Sequence, residues 1–144
     1  MLMGPGRAAA DDTSVTAALP LCAKADFEKA VDEAGAALRT LNATNKPLFQ
    51  DKLRQLKEKH GWSTDQFLKE AAPYVEDDRI TVWDEQAADL LDKITAMGQE
   101  GSSAKAPDCA LLSELRGTMK ALVETQTEKW TYLFGKIDAA LTAP

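Results

Sequence analysis

Among 144 residues there is one histidine, two cysteines and only eight valines and isoleucines. Each scarcity excludes something. Histidine-dependent nucleophilic and zinc-protease chemistry needs an imidazole placed by its neighbours. His60 stands between Lys59 and Gly61 at the end of a helical pattern, where an imidazolium suits the negative end of the helix dipole. Glu58 lies two positions away, on another helix face, so the paired Glu-x-x-His motifs of a di-iron bundle are missing. No C-x-x-C occurs, which removes a dithiol redox centre and covalent haem attachment. So few β-branched residues do not build a sheet-rich core. No apolar run approaches the ~18 residues of a membrane helix.

Positive charge is also short. Lys and Arg total 17 against 23 Asp and Glu, a net charge of -6 with a pI near 4.8. A general nucleic-acid binder needs a basic surface to replace phosphate counterions, so that class is disfavoured. The acids from Glu76 to Asp78, with Asp84, Glu85, Asp89 and Asp92 beyond, do not form a D-x-[DN]-x-[DN]-G calcium loop. They read as a solvated helix start, and no metal or cofactor is expected.

What the chain has is alanine, 24 of its 64 hydrophobic residues, and apolar positions at three- and four-residue steps. Phe27, Val31, Ala34, Leu38 and Leu41 predict a helix over 22–43, with Asn42, Asn45 and Pro47 marking its end. A second helix is predicted over 46–60, with Asn45 as cap, Pro47 in the first turn and Gly61 as a left-handed terminator. Ser63 and Gln66 form a capping box for a short helix over 64–76. Ile80, Trp83, Ala87, Leu90, Ile94 and Met97 mark a helix over 79–98, closed by Gly98 and Gly101. Asp108 caps a long last helix over 108–141 that would span roughly 50 Å, against about 30 Å for the first. The expected fold is an all-α bundle of four to five helices, with a short third helix and a long C-terminal one. Residues 1–20 are expected to be a leader remnant or disordered tail, and 21–144 a single domain.

The two cysteines, Cys22 and Cys109, are compatible with one disulfide or with two thiols. Ala8-Ala9-Ala10 has the form of a signal-peptidase site, though the charged and apolar regions of a full signal peptide are missing. Together these favour export to the periplasm or medium, with a cytoplasmic location as the alternative. A bond between the cysteines would close an 88-residue loop, contribute about 4–5 kcal/mol, and set the first and last helices parallel.

Three surfaces remain. Lys57 to Ala71 has a helix-turn-helix layout, but its second helix offers Asp65, Lys69 and Glu70 and no arginine, which repels phosphate. Carboxylates in a bundle cleft would be needed for an enzyme, and nothing in the sequence gathers them. Trp130, Tyr132 and Phe134 wrap much of the last helix. That pattern fits either burial on several sides or an interaction surface, including one for a homodimer.

The Lys59-His60-Gly61-Trp62 junction, the cysteine pair and the alanine leader resemble small exported all-helical proteins of bacteria. The resemblance implies export and supplies no site residue; envelope stress is one expected context. The resulting expectation is a non-enzymatic exported bundle that binds another protein or a small ligand. A helix-turn-helix DNA regulator and a carboxylate enzyme are the alternatives.

Overall fold

A computed structural model of the chain describes residues 22–144. The alanine leader motif therefore lies outside the described residues. Four helices account for nearly everything described: α1 Ala25–His60, α2 Thr64–Val75, α3 Asp78–Ser103 and α4 Cys109–Thr142. This is the expected all-α bundle, with a short second helix and a long C-terminal one.

The two helices expected over 22–43 and 46–60 are one continuous helix, and so cannot lie antiparallel to each other. The signals at Asn42, Asn45 and Pro47 fall in mid-helix. Pro47 deprives only the Ala43 carbonyl of its partner, and both residues face solvent, where water replaces the lost bond. Asn45 is tolerated because its side-chain amide donates to the Leu41 carbonyl at 2.9 Å. The apolar stripe also runs on, from Leu38 to Phe49, Leu53 and Leu56. A stripe that still has something to pack against outweighs a break signal on the solvent face.

The expected closure at Gly98 and Gly101 is likewise replaced by helix. Both glycines are buried inside α3, which continues to Ser103. A Cβ on Gly98 would come within 2.6 Å of Val31 Cγ2, and one on Gly101 would fall inside the envelope of the Phe27 ring. These glycines are there for close helix approach, and the linker shrinks to 104–108. At the turn after α1, Gly61 does adopt the left-handed conformation, with φ 65°. Ser63 and Gln66 form the reciprocal capping box, and Asp108 accepts from the Leu111 amide.

The three long helices run side by side. Cys22 and Cys109 are joined in a disulfide with their Cα atoms 5.8 Å apart, and at the far end Lys59 Nζ donates to the carbonyls of Ala140 and Leu141. These ties at both ends make α1 and α4 parallel. Phe27 against Gly101 at one end, and Leu56 with Ile80 at the other, make α3 antiparallel to both. Lys59 also serves α4 as a C-terminal cap, meeting carbonyls that have no intrahelical donor.

The core has two parts. Near the disulfide it comprises Phe27, Ala30, Ala87, Ile94, Leu112, Leu115 and Leu122. At the other end Phe49, Leu56, Ile80, Leu133 and Ile137 pack with half-buried Leu53, Trp62, Tyr74, Trp130 and Phe134. Each large side chain fully buried here contributes about 1.5–3 kcal/mol. α2 lies across the aromatic end and buries only Ala71 completely. With α1 running through both halves, α4 has no overhang. The excess length that the shorter first helix implied for it is removed.

Candidate functional site

The aromatic end is organised around Asp77. It precedes α3 in extended conformation, and its Oδ1 accepts from the Ile80 amide at 2.8 Å. Its Oδ2 accepts from Lys136 Nζ at 2.6 Å and from the Tyr132 hydroxyl at 2.5 Å. Lys136 also donates to the Pro73 carbonyl, one of the end carbonyls that α2 cannot satisfy internally. One ammonium thus ties α4 to the end of α2 and the start of α3. The Lys136 hydrogen bond, then those from Tyr132 and the Ile80 amide, hold the Asp77 carboxyl well below the usual carboxylate range. The same bond to Asp77 pushes the Tyr132 phenol up from its ordinary value.

Tyr132 is therefore fixed by its hydroxyl, and its ring meets Trp83 at 5.1 Å between centroids with a 52° tilt. Arg79, exposed on the first turn of α3, lays its guanidinium over both rings, 4.6 Å from the Tyr132 centroid and 5.0 Å from that of Trp83. Arg79 and Trp83 are four apart, the spacing that puts them on one helix face. The cation–π contacts offset an unfavourable location, since a cation opposes the positive end of the helix dipole. Among the described residues Arg79 makes no salt bridge; the four ion pairs are Lys52–Asp138, Arg54–Asp51, Lys129–Asp84 and Lys136–Asp77.

Beside Arg79 a solvent-open recess of about 310 Å³ is lined by Arg79, Trp83, Thr127, Glu128, Thr131 and Tyr132. The Thr127 and Thr131 hydroxyls donate back to the carbonyls of Val123 and Thr127. Those hydroxyl protons are therefore already used within α4. Glu128 is exposed and is in none of the four ion pairs. The recess therefore has one cation, one anion, two aromatic rings and two threonines. Other recesses, of about 390 Å³ beside Glu28 and Gly98, about 430 Å³ beside Ala36 and Val123 and about 420 Å³ beside Met97, have no aromatic lining; the last is bordered by Lys93 and Glu114.

The residues singled out by sequence separate accordingly. Cys22 and Cys109 are bonded to each other. Trp130 and Phe134 face inward around Phe49, with ring centroids 6.0 and 5.6 Å from it. Tyr132 packs against the same core cluster from a different side of α4, and its ring borders the recess. The three do not form one surface, and only Tyr132 reaches the candidate site. His60 stacks on Trp62 at 4.6 Å, at the turn where α1 ends. In the 57–71 segment Lys57 lies 5.5 Å from the Phe67 ring centroid, an internal contact of the α1–α2 corner. Among the described residues no polar or charged side chain is fully buried.

Sequence reasoning missed Arg79 and Lys136. Arg79 carried a readable signal, an arginine opposing the dipole of a helix it begins, with tryptophan four residues on. Lys136 carried none, because its partners lie on two other helices. Against protein-family models, curated proteins and solved structures, the chain finds no match.

Proposed function

We propose that the protein is a non-enzymatic, exported helical-bundle binding protein, and that it binds its ligand on the α3–α4 face at Arg79, Trp83 and Tyr132. The observation that carries this reading is an unpaired guanidinium held in place by two rings beside an open recess. Local sequence preference is broken at Arg79 without a gain in ion pairing, and such breaks concentrate at functional sites. Below it, the Asp77–Tyr132–Lys136 group fixes the Tyr132 ring, so the recess needs little ordering when a ligand arrives. Export is supported by the disulfide, since such bonds persist in oxidising compartments.

Isotope-edited NMR with a small-molecule fragment library tests the binding reading. Saturable shifts of the Trp83 indole N–H and Arg79 Nε–H resonances are expected, and in R79Q the Trp83 shift should need a severalfold higher ligand concentration to saturate. Shifts confined to other faces, or no shifts on the folded protein, would overturn it. Mass spectrometry of the protein from its natural host tests export. A chain beginning near Asp11 supports it, and a full-length cytosolic chain refutes it.

A further inference from the structure

The binding reading leaves open what the ligand is, and the lining of the recess narrows it. Arg79 and Glu128 both border the space, and no salt bridge joins them to each other. A bound simple carboxylate would meet Arg79 but face Glu128 unmatched. A bound simple amine would do the reverse. The rest of the lining is the Trp83 and Tyr132 rings and the two threonines, which favours an apolar body. Resting on the binding reading, we infer that the recess takes a small zwitterion with an apolar body, of the class of free hydrophobic amino acids. The carboxylate lies at Arg79, the ammonium at Glu128, and the side chain along Trp83 and Thr131.

The Asp77 carboxylate does not compete for Arg79, because Lys136 and Tyr132 already occupy it. Asp84 is likewise held, by Lys129 at 2.5 Å. Arg79 is thus free to receive a ligand, and its guanidinium presents a planar donor edge matched to a carboxylate.

Three probes sharing one body but differing in charge test this: L-phenylalanine, 3-phenylpropionate and phenethylamine, each titrated into the full-length disulfide-bonded protein while the Trp83 indole resonance is followed. Exposed ion pairs are worth up to ~1 kcal/mol, so L-phenylalanine is expected to bind about fivefold more tightly than either single-charge probe. R79Q should reduce L-phenylalanine to the level of phenethylamine, and E128Q to that of 3-phenylpropionate. Both side chains are exposed, so unchanged thermal unfolding of the variants confirms that folding is intact. Equal or tighter binding of 3-phenylpropionate would overturn the zwitterion inference while leaving the binding site standing. Equal or tighter binding of phenethylamine would do the same. Absence of binding by all three overturns the inference. If the fragment library also leaves Trp83 and Arg79 unmoved, the binding reading falls with it.

Discussion

Replacing glycine by alanine within a helix ordinarily stabilises it, by roughly 0.5–1 kcal/mol, because alanine loses less backbone freedom on folding. α4 provides two positions where this should hold. Gly117 and Gly135 are exposed, and a Cβ on either meets nothing within 4 Å. Gly101 in α3 should show the opposite sign. Its added methyl would overlap Cγ, Cδ1 and Cε1 of Phe27, whose ring is fully buried and cannot swing into solvent. Overpacking of this kind costs about 1–3 kcal/mol, which exceeds the propensity gain. Gly101→Ala should therefore lose roughly 0.5–2 kcal/mol net, a drop of several degrees in Tm for a domain of this size. Gly117→Ala should gain a few degrees by the same measurement. Urea unfolding followed by far-UV circular dichroism gives both values from midpoints at constant m. Phe27→Leu in the Gly101→Ala background should recover part of the loss, giving a coupling energy that separate effects would not produce. If Gly101→Ala stabilises as much as Gly117→Ala, α1 and α3 do not approach as described, and the account of the glycines in α3 fails.

Removing the Cys22–Cys109 bond by paired serine substitution should destabilise the protein by about 4–5 kcal/mol, the loop-closure value for a span of this length, read as a lower urea midpoint. In the same variant, amide exchange should accelerate more around Phe27 and Leu112 than around Phe49 and Ile137, because the two core clusters lie at opposite ends. Asp77, with its folded value depressed, contributes stability that is present above its ordinary unfolded pKa of 3.8 and is lost as pH falls through the lower folded value. Asp77→Asn should therefore flatten the acid limb of the stability–pH curve, and an unchanged acid limb would refute the assignment. Tyr132, with its folded value raised, contributes stability below its ordinary 10.0 that is lost as pH rises through the folded value, and Tyr132→Phe should remove that alkaline decline. Phe49→Ala, at the centre of the aromatic cluster, should cost about 3–5 kcal/mol in thermal or urea unfolding.

Helix type and the capped helix starts were legible because they depend on near neighbours. Ser63 with Gln66, Asp108 and Gly61 act within a few residues of themselves, and the structure uses each as its spacing suggested. The errors came where a local signal had a distant answer. Pro47 carries the chemistry of a helix break, yet whether it breaks depends on which side of α1 faces α3 and α4, and Pro47 lies on the exposed side; Asn45, half-buried beside Val123 of α4, stays in the helix through its bond to the Leu41 carbonyl. Gly98 and Gly101 carry the chemistry of a helix end, yet their role is set by Val31 and Phe27, about 70 residues earlier in the chain. The parallel arrangement of the first and last helices was readable only conditionally, through the proposed sulfur bridge.

The same distinction separates the parts of the site. Trp130, Tyr132 and Phe134 drew notice as a cluster of aromatics, but a helix turns about 100° per residue and cannot place all three on one surface. Trp130 and Phe134 were taken by Phe49 on α1, which leaves Tyr132 facing α3. Its hydroxyl then reaches the Asp77 carboxylate, and that contact directs its ring toward Trp83 and Arg79. An acid chosen to start a helix thereby also sets the geometry of the recess. For that reason Asp77→Asn and Tyr132→Phe should loosen ligand binding at Arg79 even though neither residue changes the charges bordering the ligand. A variant series in which both leave L-phenylalanine affinity unaltered would show that the recess is formed by Arg79 and Trp83 alone.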